Sequence, residues 1–313
     1  MECDATFEQM RSDVEQAISL LHQGDDEAFE KALALLQNTI FSFSMRVCGQ
    51  RQDAEDTMQE VLVKSLPALS KFDNPRALLV WLYKVAKTRC LMKRRRSKFA
   101  PTEELSLEQL MPDRKELETL GRSETISPEA FAIRSEQAGR LREAVQKLPP
   151  PYRIVLVLRD MEGLSDEDVA EVTGLRSGTV RVRLHRARLF VRNELMKIWK
   201  ARPRQRESLT RHASEAPAPG RCKALFAELS NYLDEQMDDS LCEDLERHLS
   251  GCEPCKAFLA TLEATIAQCR NSPAECPNGK TAAKLRKSLL QGYIEARALV
   301  KRPTSRPVVT PEK

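Results

Sequence analysis

The sequence is short of aromatic residues, glycines and long apolar runs, and each shortage excludes a class of protein. Aromatics make up 5% of the 313 residues, and only 11 glycines are present. No segment has the alternating Val, Ile, Thr and Tyr of a strand bounded by turns, so we expect an all-α fold. No apolar stretch approaches the roughly 20 residues that span a bilayer. Residues 1–13 contain acids and no apolar run, which predicts no signal peptide and a cytoplasmic protein.

Charge is distributed in blocks, although the net charge is only +4. Residues 84–98 and 176–206 are strongly basic, with Glu194 the only acid in either stretch. Residues 224–246 reverse the sign, because they contain acids and no Lys or Arg. The two basic stretches indicate contacts with a polyanion, and the acidic stretch indicates a different task.

Helical periodicity divides the chain into three blocks. The segments between them are rich in proline, serine and charge, which is typical of linkers. The blocks are 13–98, 136–200 and 221–268, the linkers are 99–135 and 201–220, and 269–313 is expected to be a tail.

Residues 164–192 have the pattern of a helix-turn-helix motif. Ser165 precedes Asp168 by three residues, as in a capping box, and Gly174 stands where the turn requires a positive φ. The second helix, starting at Ser177 or Gly178, is rich in arginine, so it can enter the major groove with its N-terminal residues at base edges and its arginines on phosphates. A basic helix in an ordinary bundle is the alternative. The candidate DNA-binding residues are Arg176, Ser177, Thr179, Arg181, Arg183 and Arg186, with Arg188 further along the same helix.

A family resemblance extends this interpretation. The segment LPPPYRIVLVLRDMEGLSDEDVAEVTGLRSGTVRVRLHRAR resembles region 4 of the bacterial sigma factors, in the extracytoplasmic-function (ECF) group. The resemblance covers about residues 141–192. It implies that this block reads the −35 promoter element and that RNA polymerase core, through its clamp and flap regions, and promoter DNA are the partners.

The first block resembles region 2 of the same family. It carries GDDEAFEKALALL, QDAEDTMQEVLVKSL and NPRALLVWLYKVAKTRCLMKRRR in the ECF order. The resemblance implies that a polar helix face docks on the polymerase clamp, whereas the spacing alone fits a solvated amphipathic helix equally well. That face carries Asp53, Glu55, Asp56, Gln59 and Glu60.

The third of these segments combines aromatic and basic residues. Such a surface suits single-stranded DNA, since charge follows the backbone while a pocket or stack holds an unpaired base. The resemblance implies a reader of the −10 element, with departures from the family pattern at Thr88 and Met92, while the helical spacing of Trp81 favours a core position. The candidate residues are Lys84, Lys87, Thr88, Arg89, Lys93, Arg94, Arg95 and Arg96. No nucleotide-binding loop or nucleophile–base pair is present, so we expect no enzymatic activity.

The run HLSGCEPC in the third block indicates a metal site. His248, Cys252 and Cys255 have the spacing of tetrahedral zinc ligands. Cys222 is the favoured fourth ligand and Cys242 the reserve. Nine cysteines in a cytoplasmic protein are otherwise expected to be thiols or metal ligands rather than a disulfide framework. Reduced thiols in a small helical bundle are the alternative to zinc.

Residues 222–259 resemble the zinc-binding anti-sigma domain, and the resemblance implies the ligand set Cys222, His248, Cys252 and Cys255. A sequestering domain fused behind a sigma factor implies regulation in cis, in which its acidic helices occupy basic surfaces or the polymerase-binding face. Support of activity, or binding of a separate regulatory protein, stays open. The role of Cys269 and Cys276 also stays open: the two cysteines can bind a second metal, act as resolving thiols, or have no role.

Two other functions fit parts of the sequence. One is a helix-turn-helix regulator that acts without polymerase and uses the third block as a zinc or thiol sensor. The other is a zinc- or thiol-dependent enzyme, which a closed four-ligand site disfavours because catalytic zinc keeps a coordination position open.

Overall fold

The described part of the computed structural model is helical throughout. It comprises residues 7–93, 104–112, 116, 138–200, 229–234 and 237–300, and none of these lies in a strand, which confirms the all-α prediction. None of the helices searched there combines the length and apolarity needed to cross a membrane. The linker expected at 201–220, and most of the one expected at 99–135, lie outside the described residues.

The first block folds as a helical bundle around α2. This helix starts after Asp25, whose carboxylate accepts a hydrogen bond from the Ala28 amide at 2.7 Å. Leu33, Leu36 and Ile40 on α2 are fully buried against the neighbouring helices. The helices are α1 (Phe7–Gln23), α2 (Asp26–Cys48), α3 (Arg51–Ser65) and α4 (Pro75–Lys93), with a 3₁₀ turn at Leu69–Lys71.

Gly49 ends α2 at the junction with the second block. Its φ is +78°, and a Cβ added there would stand 2.2 Å from the side-chain oxygen of Gln146. Gln146 is held in place because it donates to the Arg46 carbonyl at 2.7 Å and accepts from Arg153 at 3.0 Å.

We therefore expect Gly49→Ala to destabilise the chain by about 1–2 kcal/mol from the backbone alone, plus about 1 kcal/mol for the displaced Gln146 hydrogen bonds. Gly24→Ala is the matched control, because Gly24 has a φ of +75° with nothing within 4 Å of an added Cβ. Urea unfolding of both variants measures the difference. Equal losses of stability in Gly49→Ala and Gly24→Ala would show that Gln146 moves away from the added Cβ at no cost in free energy.

The second block surrounds one long helix. This helix, α9 (Ser177–Lys200), packs on the three other helices of the block. A π-helical turn connects α7 (Pro150–Leu156) to the loop before α8 (Asp166–Thr173). Val155, Val180 and Leu184 lie in the core between them. The elements are α6 (Ala138–Lys147), α7 (Pro150–Leu156), the π turn (Val157–Met161), α8 (Asp166–Thr173) and α9 (Ser177–Lys200). A short helix, α5 (Leu107–Leu110), lies in the segment expected to be a linker and also packs on α9.

The third block, which the structure extends beyond residue 268 to include α13 (Gly279–Val300), packs on both of the others. Helix α12 (Glu253–Arg270) lies against α9 of the second block, and α13 lies against α2 of the first block. The segment expected to be a tail thus contains a packed helix, since Ala282, Leu285 and Leu289 recur on one face of α13 and are buried. The helices are α10 (Leu229–Leu233), α11 (Asp239–Gly251), α12 (Glu253–Arg270) and α13 (Gly279–Val300).

Three of the described cysteines, Cys48, Cys90 and Cys276, are disulfide-bonded, in contrast to the expectation of thiols or metal ligands. Cys48 at the end of α2 and Cys90 on α4 form a disulfide, with their Cα atoms 5.7 Å apart and both side chains buried. The two cysteines are 42 residues apart in the sequence, so only the packing of α2 against α4 brings them together.

Candidate nucleic-acid interface and metal centre

The second block forms the expected helix-turn-helix. The Ser165 hydroxyl accepts a hydrogen bond from the Asp168 amide at 3.1 Å and so caps α8. Gly174 ends α8 with a φ of +75°, and α9 begins at Ser177. The serine cap at Ser165, the turn glycine and the start of the second helix are therefore confirmed.

The N-terminal part of α9 presents the candidate DNA-binding residues. Arg176, Thr179 and Arg181 are exposed, whereas Ser177 and Arg186 are half-buried. Arg183 is also half-buried, and its guanidinium lies 6.0 Å from the centre of the Tyr152 ring. The exposed side chains lie at the N-terminal end of α9, which is the end that contacts base edges in helix-turn-helix proteins.

Arg188 lies in the core, so the expectation that it contacts phosphates is wrong. Its side chain is 0% exposed, and it pairs with Asp160 at 2.6 Å and with Asp234 at 2.7 Å. Burial disfavours the charged guanidinium, but the two carboxylates outweigh it and raise the pKa of Arg188 above its ordinary value. Asp160 belongs to the second block and Asp234 follows α10, so this arginine joins the second block to the third.

Arg192 makes a second buried connection to the third block. Its guanidinium lies 3.8 Å from the centre of the Phe258 ring on α12 and donates to the Thr261 hydroxyl at 2.7 Å. Burial lowers the pKa of Arg192 to about 10, and Glu116 at 3.3 Å opposes the shift. Cation–π contacts that are desolvated in this way are worth about 2 kcal/mol.

The basic face of α4 is paired with the second block. Lys84 forms an ion pair with Glu171 at 2.8 Å, and Lys87 donates to the Val172 carbonyl at 2.7 Å. Burial lowers the pKa of Lys87, and the charge of Lys84 adds to the shift. Arg76 pairs with Asp168 at 2.6 Å. These partners belong to α8, whereas the expectation of regulation in cis places acidic helices of the third block on such surfaces or on the polymerase-binding face.

The remaining candidates on the first block have different environments. Thr88 is exposed and donates to the Lys84 carbonyl, and Arg89 pairs with Glu60 at 3.0 Å. Trp81 is half-buried, with its ring centre 5.8 Å from that of Phe72. Lys93 ends α4, but its side chain lies outside the described part, as do Arg94, Arg95 and Arg96.

A buried polar cluster fixes the first block against the second. Glu162 accepts a hydrogen bond from Tyr83 at 2.5 Å and pairs with Arg46 at 2.6 Å. Burial raises the pKa of Tyr83 well above its ordinary value, and the charge of Glu162 adds to that shift. Arg46 also donates to the Met161 carbonyl at 3.1 Å. The two blocks therefore form a closed arrangement, in which α4 lies against α8.

The candidate polymerase-binding face lies on α3. Asp56 and Gln59 are exposed, whereas Asp53, Glu55 and Glu60 are half-buried. Glu55 pairs with Arg51, one turn earlier, at 3.5 Å. The opposite face, with Ala54, Met58, Val61 and Leu62, is buried as expected.

Three of the four expected metal ligands converge in the third block. The ligand atoms of His248, Cys252 and Cys255 lie within 4.8 Å of one another, and His248 Nε2 is 3.2 Å from Cys255 Sγ. Ligands around tetrahedral zinc lie about 3.5 Å apart, so this group fits zinc. Both sulfurs belong to residues that are 3% exposed, as in a closed structural site. The expected fourth ligand, Cys222, lies outside the described residues.

The buried connection that Arg188 and Arg192 make to the third block was not predicted from the sequence, which placed Arg188 on phosphates and did not single out Arg192. Their positions continue the i, i+4 series of the buried residues Val180 and Leu184, and this signal was present in the sequence. The series predicts a buried face, but it cannot identify Asp234 and Phe258 as the partners.

Family models match all three blocks. Sigma-70 region 2 matches residues 33–99, Sigma-70 region 4 matches residues 138–191, and a zinc-finger family matches residues 222–256.

Curated bacterial proteins are similar to a large part of the chain. The RNA polymerase sigma-H factor of Pseudomonas aeruginosa is 32% identical over 180 residues, which cover 56% of this chain and 89% of the relative. The ECF RNA polymerase sigma factor SigW of Bacillus subtilis is 27% identical over 191 residues, 58% of this chain and 96% of the relative. The ECF RNA polymerase sigma-E factor of Escherichia coli is 27% identical over 183 residues, 57% of this chain and 92% of the relative.

Proposed function

The chain belongs to the ECF group of RNA polymerase sigma factors, and we propose that it recruits the polymerase core to specific promoters in the cytoplasm under the control of its own C-terminal block. It is not an enzyme, because sigma factors direct the chemistry of the polymerase. In this proposal α3 docks on the polymerase clamp, the basic face of α4 binds the melted −10 strand, and the N-terminal part of α9 reads the −35 element.

The contact between α4 and α8 is the observation that supports control in cis. Positions −35 and −10 are about 25 base pairs apart, which is roughly 85 Å of duplex at about 3.4 Å per base pair. In the closed arrangement Lys84 touches Glu171, which precedes α9 by a few residues. The two readers therefore lie side by side, and they cannot engage both elements at once until the blocks separate.

The third block favours the closed arrangement because it binds both of the others. It grips the second block through Arg188 and Arg192, and α13 covers α2 of the first block. Tethering gives such contacts effective concentrations that reach the millimolar range, so weak contacts suffice. We propose that Cys222, His248, Cys252 and Cys255 hold zinc and that this metal stabilises the third block without touching DNA.

Transcription in vitro with core polymerase tests this function. The full chain is compared with a chain ending at residue 205, on promoters selected from a genomic library. We expect both chains to direct initiation and the shorter chain to be at least about 10-fold more active, which corresponds to about 1.4 kcal/mol of restraint.

Failure of both chains to initiate at any promoter would contradict the sigma function. Equal activity of the two chains would contradict control in cis and leave the sigma function standing. Duplex binding without core separates the sigma factor from a polymerase-independent regulator, since tight specific binding by the chain alone is expected only of the regulator.

A further inference from the structure

We call residues 222–270 the zinc block, and the residues that follow it return to the first block. The zinc-finger match ends at residue 256, and α12 ends at Arg270. The connection 271–278 then crosses the junction between the first and second blocks, and α13 packs along α2.

The connection contacts both of the blocks that it crosses. Arg46 donates to the Ser272 carbonyl at 2.8 Å, and Arg51 donates to the Cys276 carbonyl at 3.4 Å. Glu275, between these two carbonyls, forms an ion pair with Arg142 of α6. Arg46 and Arg51 belong to the first block and Arg142 belongs to the second, so one short segment binds the two together.

Helix α13 anchors this connection on α2. Gln37 is fully buried, donates to the Ala282 carbonyl at 3.1 Å and accepts from Arg286 at 2.8 Å. The rings of Phe29 and Tyr293 stack with their centres 3.8 Å apart and their planes within 7°. Leu285 and Leu289 complete the buried face of α13.

We propose that residues 271–300 are an intrachain clasp that holds the first block against the second, and that the zinc block itself grips only the second. Two ion pairs between the two sigma blocks involve solvent-exposed side chains: Lys84 and Glu171 are 41% and 57% exposed, and Arg76, which pairs with Asp168, is 64% exposed. Pairs of this kind contribute little to stability. The clasp adds apolar burial and a buried amide network to the same closed arrangement, and its docking surface is the outer face of α2.

This inference rests on the proposed function, because it names the part of the third block that restrains the sigma domains. It differs from the anti-sigma resemblance, which covers the zinc-ligand segment. Separation of the two readers then requires release of α13 from α2, whereas the zinc block can stay on α9.

Hydrogen exchange of the full chain tests the clasp. The clasp variant carries Leu285→Ala, Leu289→Ala and Tyr293→Ala, and the control carries Lys284→Ala and Lys287→Ala at exposed positions of the same helix. We expect residues 75–91 and 166–173 of the clasp variant to exchange at least about 10-fold faster, because large-to-small changes in a core release the helix that they anchor. Residues 239–270 and the zinc content should stay as in the control.

Faster hydrogen exchange confined to α13 would contradict the proposal, since release of α13 would then leave the contact between the two sigma blocks unchanged. Faster exchange of residues 239–270 together with the sigma blocks would contradict the proposal that the clasp and the zinc block act separately. Tyr293→Ala alone, which removes one ring stack, is the variant to use if the triple change aggregates. Equal transcription by the full and shortened chains would defeat control in cis without touching these exchange results, so the two failures are distinguishable.

Discussion

Replacing Asp160 with asparagine is expected to lower the free energy of unfolding of the full chain by about 3 kcal/mol, because it removes the more deeply buried of the two carboxylates that compensate the charge of Arg188. Arg188 and Asp160 are both 0% exposed in their side chains, and two nitrogens of the guanidinium contact the carboxylate, at 2.6 and 2.8 Å. Asparagine keeps the size of the side chain and removes its charge. Urea unfolding followed by circular dichroism should show a midpoint lower by roughly 1 M, given typical slopes for proteins.

Asp234→Asn is the matched control, since it makes the same chemical change on the other carboxylate of Arg188. That carboxylate is 7% exposed, and Arg188 keeps its two contacts with Asp160 when the charge of Asp234 is lost. We expect a smaller loss of stability, with faster hydrogen exchange in residues 239–270 as the third block loosens. Equal losses from the two variants would contradict the assignment of Asp160 as the internal partner and Asp234 as the docking partner.

Removing the metal is expected to unfold the zinc block while the sigma blocks stay folded. Zinc bound in closed structural sites of small domains contributes apparent free energies of about 10–16 kcal/mol at neutral pH, and much of it is folding free energy. The ligand cluster joins the end of α11 to the start of α12, where His248, Cys252 and Cys255 meet. Cys252→Ser should therefore abolish stoichiometric zinc and the exchange protection of residues 239–262.

Cys242→Ser is the control for that experiment, because Cys242 is a thiol on α11 outside the three-residue cluster. This variant should keep full zinc content and protection, and it also tests whether Cys242 replaces Cys222 as the fourth ligand. Loss of zinc in Cys222→Ser but not in Cys242→Ser would support the expected ligand set. Undiminished protection in Cys252→Ser, with no metal bound, would contradict a structural role for zinc.

Local patterns in the sequence predicted the elements that carry the sites. The capping box at Ser165 and Asp168 and the glycine at position 174 fixed the helix-turn-helix, because each sets a local backbone requirement that only a few residue types meet. The apolar spacing on α3 likewise predicted its buried face. These signals act within one or two helical turns, and a single sequence therefore contains them in full.

Contacts between blocks could not be predicted in this way. The partners of Arg188, Arg192 and Lys84 are set by how whole helices pack, and the spacing of residues within one block carries no information about them. The charge pattern suggested that acids of the third block would cover basic surfaces. The acids that meet Lys84 and Arg76 are instead Glu171 and Asp168 of α8.

The helix at 279–300 was missed for another reason. Prolines at positions 273 and 277 interrupt the pattern just before it, and its apolar face is narrow. Among the residues of this helix whose side chains are described, which end at Glu295, only Ala282, Leu285 and Leu289 are buried on that face. The rest of the anchoring comes from Tyr293 and from the hydrogen bonds that Gln37 of α2 makes with Ala282 and Arg286. Hydrophobic periodicity does not detect a ring stack or side-chain hydrogen bonds between distant helices.

The distance in solution between the first and second blocks, which carry the two DNA readers, tests the central claim most directly. Fluorescent labels can be placed at the exposed positions of Lys64 on α3 and Glu167 on α8, and energy transfer measured for the full chain alone and with polymerase core and promoter DNA. The closed arrangement predicts a short distance for the chain alone and an increase of several tens of ångströms in the promoter complex, because the two elements are about 85 Å apart. A free full-length chain that already has the longer distance, or a promoter complex that initiates transcription at the short one, would contradict it.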